Sequence, residues 1–130
     1  MQGGVGLILQ LDFSGDVPIY AQIRNQVVLG IADGTLLPGD KLPTIRALAD
    51  EAGINMMTVN KAYQLLKKEG YIHTDRRSGA LVSGDRLQQN QLSEKAKSGL
   101  KLLISEAKLV GMSKQDFCTL CESIYDEMGI

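Results

Sequence analysis

Apolar residues of this 130-residue chain recur mostly three or four positions apart, the spacing of a helix with one buried face. Ile19, Ile23, Val27 and Ile31 form the first stripe, with Tyr20 beside it. Asp16-Val17-Pro18 opens this helix, since a proline in the first turn lacks only an N–H that needs no partner there. Gly34 ends it. Thr44 is placed to cap a second helix, which carries Ile45, Leu48, Ala49 and Ala52 on one face until Gly53 breaks it. Asn55 caps a third, running to about Glu69 with Val59, Ala62, Tyr63 and Leu66 inward, and Gly70 closes it.

Elsewhere the period changes. Tyr71 to Thr74 is β-prone, Asp75 to Gly79 is polar and Ala80 to Val82 is apolar, which reads as a hairpin. Pro38-Gly39 marks a turn ahead of a brief extended piece, Lys41 to Pro43. Near the start, Leu7, Leu9, Leu11 and Phe13 alternate in part with Gln10 and Asp12, as in a short strand or an extended arm. Gly3, Gly4 and Gly6 suggest a mobile lead-in. Past Gly84, Leu92, Ala96, Leu100, Leu103, Ala107 and Val110 make one long helical stripe. Gly111-Met112 interrupts it, Ser113 and Asp116 resemble a capping arrangement, and Phe117, Leu120, Cys121, Ile124 and Met128 continue a second stripe. Two such helices about a tight turn form an αα-hairpin.

The stretch Leu48 to Val59 carries the functional signal. Two helices meeting steeply over a short turn need a small residue where their backbones approach, a corner tolerant of positive φ and an apolar anchor one turn into the second helix. Ala49, Gly53 and Val59 supply these in order, and Ile54 fills the hollow beneath. Asn55, Met56, Met57, Asn60, Lys61 and Gln64 are left on the outer face of the later helix, the face that enters the major groove in a helix-turn-helix. An ordinary αα-corner meets the same spacing without any role at DNA. The hairpin that follows, with Arg76, Arg77, Ser78 and Gly79 at its tip, favours the DNA reading, because arginines on such a wing suit phosphate or minor-groove contact. The expected architecture is mainly α with a small β-hairpin, an α+β fold: an N-terminal arm over residues 1–16, a winged helix-turn-helix over 17–84 and a helical dimerisation hairpin over 85–130.

Composition alters this picture little. Hydrophobic residues are 44% and charged residues 22% of the chain, as in a globular protein with a core. No apolar run reaches the roughly 18 residues that span a bilayer, and no basic cluster precedes the N-terminal apolar stretch as in a secretory signal, so a cytoplasmic location and no membrane partner are expected. The net charge of -1 lends no global support to nucleic-acid binding. Between Lys41 and Gly79, however, seven cationic side chains face four acidic ones. No Ser/His/Asp set, phosphate loop or cofactor fingerprint appears, so neither an enzyme nor a cofactor is expected.

On these residues the chain resembles the GntR family of bacterial transcription regulators. The resemblance rests on Pro18-Ile19-Tyr20-x-Gln22-Ile23, on Gly34-x-Leu36-x-Pro38-Gly39-Asp40-Lys41-Leu42-Pro43-Thr44-x-Arg46-x-Leu48-Ala49, and on Thr58-Val59-Asn60-Lys61-Ala62-Tyr63 through Leu66, Glu69 and Gly70-Tyr71-Ile72. It covers about residues 17 to 83, and the short helical C-terminus resembles the YtrA-like subfamily, whose regulated genes often encode ABC transporters. The resemblance implies a base-contacting arginine at Arg46 and a capping, phosphate-touching Thr44. It places Asn55, Thr58, Asn60 and Lys61 at the start of the recognition helix and the wing tip, Arg76 to Gly79, in the minor groove. Many relatives have arginine at the positions of Met56 and Asn60, so a different operator is expected; Met56 and Met57 are suited either to thymine methyls or to local packing.

A single half-site reader binds modestly, and a two-fold dimer matches a palindrome. The apolar stripes of residues 86–129 exceed what one hairpin buries against itself, so pairing with a second chain is expected, with packing onto the chain's own N-terminal domain as the alternative. The leading reading is thus a homodimeric repressor on double-stranded DNA with an unspecified effector. Cys118 and Cys121 permit a thiol- or metal-responsive sensor, although free cysteines are commonly small buried hydrophobes. His73, on the first wing strand, reads as a solvent-facing or phosphate-touching side chain. A third reading is a protein-interaction module that has lost DNA binding, suggested by the acidic net charge and the missing arginines.

Overall fold

The computed structural model describes residues 9–84 and 91–128, which fall into two compact units. Leu7 and the glycine lead-in lie outside these residues. The first unit runs α1 (Ile19–Ala32), α2 (Ile45–Ala52), α3 (Met56–Glu69), β1 (Ile72–Asp75) and β2 (Gly79–Val82). The second contains α4 (Glu94–Leu109) and α5 (Lys114–Glu127). Five helices and a two-stranded antiparallel hairpin give the α+β class expected of the pattern.

Helix α3 is the hub of the first unit. Val59, Ala62, Tyr63 and Leu66 are buried along one side of it, and α1, α2 and β1 each pack against it. Ile23 and Val27 come from α1, Leu48 and Ala49 from α2, and Ile72 and Val82 from the hairpin, with Leu36 and Leu42 closing the gaps between elements. Each large aliphatic side chain so buried contributes about 1.5–3 kcal/mol relative to exposure. The four-residue stripe of α1 is confirmed in this packing, its outer members Ile19 and Ile31 being partly buried.

Local chemistry sets the helix ends. Thr44 Oγ1 accepts a hydrogen bond from the Ala47 N–H at 3.0 Å, and Asn55 Oδ1 accepts one from the Met57 N–H at 2.7 Å. Pro18 differs from the expectation: it is the N-cap of α1 rather than a first-turn residue, with extended φ -57° and ψ 148°. Its carbonyl accepts from the N–H groups of Ala21 and Gln22, and its side chain offers no oxygen for capping.

The hairpin pairs Ile72 with Val82 and Asp75 with Gly79, leaving Arg76, Arg77 and Ser78 as the turn. Asp75, read from sequence as loop, therefore belongs to the strand. The extended piece before α2 lies against the outer edge of β2 through a bridge between Lys41 and Leu81. Leu42 N donates to Ala80 O at 2.8 Å and Val82 N to Asp40 O at 2.9 Å. From Leu9 onward the N-terminal arm forms no ladder among the described residues. Its backbone is held by two glutamines of α1 acting as surrogate strands: Gln26 bonds both the N–H and the carbonyl of Gln10, and Gln22 does the same for Asp12.

In the second unit Ser93 caps α4 by accepting from Ala96 N, so the helix starts after Leu92, which the sequence reading had placed in its stripe. Val110 is likewise the C-cap rather than a helical position. The capping box of Ser113 and Asp116 forms as expected. Helices α4 and α5 touch little along their length, and an apolar groove between them is lined by Leu100, Ile104, Ala107, Phe117, Cys121 and Tyr125 among others. Ala107 is the only residue of this unit that is buried among the described residues.

Gly53 sits at the α2–α3 corner with φ 68° and ψ 37°, and a Cβ added there would meet no atom within 4 Å. The demand for glycine is conformational and not steric. Gly53→Ala is expected to lower the unfolding free energy by about 1–2 kcal/mol, and Gly53→Asn by less, since asparagine tolerates the left-handed region. Urea denaturation of the three proteins measures this ordering.

Candidate nucleic-acid interface

Burial of one side of α3 leaves the other side bare. Asn55, Met56, Met57, Asn60, Lys61 and Gln64 are exposed, and Thr58 is half-buried. The corner between α2 and α3 is closed by the Ile54 N–H donating to Ala49 O at 3.0 Å, which fixes the helices relative to each other. Arg46 is exposed in the first turn of α2. Among the described residues the ion pairs are Arg24–Glu69 and Lys97–Glu94, so Arg46, Arg76 and Arg77 carry no carboxylate partner.

The loop that delivers Arg46 is anchored from beneath. Tyr63 Oη donates to the Pro43 carbonyl at 2.8 Å, tying the residue before the Thr44 cap to the middle of α3. Burial pushes the Tyr63 phenol up from its ordinary value, so it stays a donor throughout the range in which proteins are folded. No sequence signal announces this bond, because it joins residues twenty positions apart through a side-chain tip.

The wing tip is an exposed turn. The Arg77 N–H donates to Asp75 Oδ1 at 2.9 Å, and Gly79 resumes the strand with φ 79°, which permits the tight reversal. Ser78 is half-buried, and His73 faces solvent on β1. Lys41 was missed as a candidate. It bridges β2, and its Cε would lie 3.9 Å from a Cβ added at Gly79, which adds a third cation beside the two wing arginines. Only the long-range pairing with Leu81 reveals it.

Lys61 is exposed on α3. Its ammonium lies 4.1 Å from the centroid of the Tyr20 ring, a cation–π contact that directs it toward α1. Asn55 and Thr44 spend side-chain oxygens on their caps, which fixes both side chains at the helix starts. On α5, Cys118 is exposed and Cys121 half-buried, and both are free thiols. Among the described residues no group of three His, Cys, Asp or Glu side chains is placed to hold a metal ion. No described helix is long and apolar enough to cross a membrane.

The chain's similarities agree with this geometry. Residues 19–82 match the bacterial regulatory proteins of the gntR family. The HTH-type transcriptional repressor YtrA of Bacillus subtilis is 37% identical over 108 residues, a match covering 81% of this chain and 82% of that protein. Among solved structures, YtrA from Sulfolobus acidocaldarius, a GntR-family transcription factor, superposes with a TM-score of 0.61 at 40% identity, covering 78% of this chain and 98% of its own. AraR(DBD) in complex with operator ORX1 superposes with a TM-score of 0.52 at 29% identity, over 58% of this chain and 96% of that one. With its exposed recognition helix, its wing and these relatives of nearly its own length, the chain belongs to the GntR family of bacterial regulatory proteins, as a helix-turn-helix DNA-binding transcription regulator.

Proposed function

We propose that this chain is a cytoplasmic homodimeric repressor that occupies a palindromic operator and so blocks transcription. The observation that carries the dimer is the uncovered apolar surface of the second unit. Leu103 is 52% exposed, Leu109 87% and Tyr125 71%, with Leu102, Leu120 and Ile124 also open. So many exposed large apolar side chains on two helices are a mark of an interaction site. An isologous pairing of residues 85–130 with the same residues of a second chain covers it and supplies the two-fold axis that a palindrome requires. The repressor role is favoured by the likeness to YtrA, itself a transcriptional repressor.

In this reading the residues divide the work by chemistry. Arg46, unpaired on α2, forms a bidentate contact with guanine O6 and N7, the commonest specific readout. Asn60 and Met57 face base edges from α3. Thr44, Asn55, Thr58 and Lys61 lie at the margins of the groove, where phosphates run. Arg76, Arg77, Ser78 and Gly79 follow the adjacent minor groove, where a cation is drawn by the enhanced negative potential of a narrow A·T tract.

Two measurements test the assignment. Arg46→Ala is expected to cost about 1–3 kcal/mol of specific binding and to relax preference at one operator position, whereas Arg76→Ala weakens all duplexes alike and flattens the salt dependence by about one unit. Titrations across a salt series with operator and random duplexes separate the two, and identical salt slopes for wild type and Arg76→Ala would remove the wing from the interface. For the dimer, sedimentation equilibrium is expected to return twice the chain mass. Ile124→Asp, placed on the uncovered face, is expected to return a single chain and to lose the steep operator affinity of a two-site contact. A wild-type protein that sediments at the mass of a single chain at every concentration would rule the dimer out.

A further inference from the structure

The outward edge of α3 has an odd composition for a surface that meets a polyanion. Its first turn presents Met56 and Met57, and Asn60 and Gln64 follow at three- and four-residue intervals on the same edge. Between Met56 and Gln64 the cation, Lys61, is drawn aside by the Tyr20 ring, and Lys67 and Lys68 lie only in the last turn. Met57 is 78% exposed, more than any other large apolar side chain of the first unit among the described residues. Its backbone is pinned by the Asn55 cap at 2.7 Å, so the side chain projects from a fixed first turn, the part of a recognition helix that reaches base edges.

An apolar side chain held in water at that place has one apolar counterpart on the base edges of a major groove, the C5-methyl group of thymine. Asparagine and glutamine, in turn, match the N6 donor and N7 acceptor of adenine bidentately. Guanine and cytosine carry no methyl group on these edges and so give Met57 less to cover. From this edge we infer that α3 reads A·T pairs, with Met57 seated on a thymine methyl and Asn60 and Gln64 directed to adenine, while guanine readout is left to Arg46 on α2. The inference rests on the operator binding proposed above and adds the base class that the recognition helix selects.

The unbranched, polarizable thioether of methionine suits this role, because it adapts to a methyl without demanding one rotamer. Asp and Glu, the side chains that accept from the cytosine amino group in specific readout, are absent from the edge formed by residues 56, 57, 60, 61 and 64.

The test uses the full chain and duplexes selected from a random pool, with each thymine of the selected half-site replaced in turn by deoxyuridine, which removes the methyl and nothing else. Fluorescence anisotropy is expected to find one thymine per half-site whose methyl is worth about fourfold in affinity, the transfer value of a single buried carbon. Met57→Ala is expected to bind thymine and uridine duplexes equally at that position, and Met57→Leu to keep the discrimination. Because Met57 is exposed, neither change burdens the core, and circular dichroism verifies that each variant is folded. Sequence-selective binding that is indifferent to every thymine methyl overturns the inference and leaves the repressor reading standing. A T-to-U ratio unchanged in Met57→Ala, or selected half-sites made only of G·C pairs, overturns it as well. Binding without any sequence selectivity overturns both readings together.

Discussion

Helix α3 can bury only one side of itself, and the architecture of the first unit follows from that constraint. Val59, Ala62, Tyr63 and Leu66 recur at intervals of three and four, so they share a stripe of limited width. Three elements compete for it, and α1, α2 and β1 all settle on that side. What is left is a helix edge that stays exposed among the described residues. In a chain with a larger core the same edge would be packed over; here the small core makes the open surface unavoidable. The exposed side of α3 is thus as much a consequence of core size as of the polar residues upon it.

Exposure alone does not place a side chain usefully, and the unit fixes its reading groups by hydrogen bonds that reach across sequence. The Tyr63–Pro43 bond and the bridge from Lys41 to Leu81 hold the entry to α2 from two sides. Arg46 then projects from a turn capped by Thr44, with its backbone direction settled before any ligand arrives. A long cationic side chain loses rotamer freedom of up to about 2 kcal/mol when it is immobilised; fixing the backbone beneath it confines the remaining loss to the side chain itself. The wing is anchored through the same segment, since β2 carries Lys41 on its outer edge. The start of α2 and the wing therefore share one mechanical support, and under the proposed function so do base readout and backbone contact.

Periodicity made the helices and their buried stripes legible, and side-chain oxygens at Thr44, Asn55 and Ser113 made their starts legible, because these features are local. Gly53 and Gly70 were legible for the same reason. The errors also have local causes. Leu92 fits the α4 stripe by spacing, but the Ser93 cap starts the helix after it, and a hydrophobic residue just before a cap resembles a helical one in sequence. Pro18 tolerates two neighbouring positions at a helix start, and spacing does not choose between them. What stayed hidden depends on tertiary geometry: the glutamines of α1 that clasp the arm, the Tyr63 phenol, Lys41 beside the wing, and the attraction of Lys61 to Tyr20. In each of these the partners are separated by ten or more residues, and their pairing follows from the packed core rather than from any pattern along the chain.

The two units also differ in what stabilises them, and this bears on how binding and assembly are coupled. The first has a closed core. Helices of 16 and 14 residues such as α4 and α5 are marginal in water when nothing packs along them, and here the groove between them stays open. Under the proposed dimer, their stability comes from the partner chain and so depends on protein concentration. The energy that orders α4 and α5 is then the same energy that brings two recognition helices together, and a ligand or substitution acting on the apolar groove would change operator affinity without touching a single DNA-facing residue. Under the proposed dimer, regulation can then act through α4 and α5 themselves, provided that the helices which hold the dimer are only just stable enough to do so.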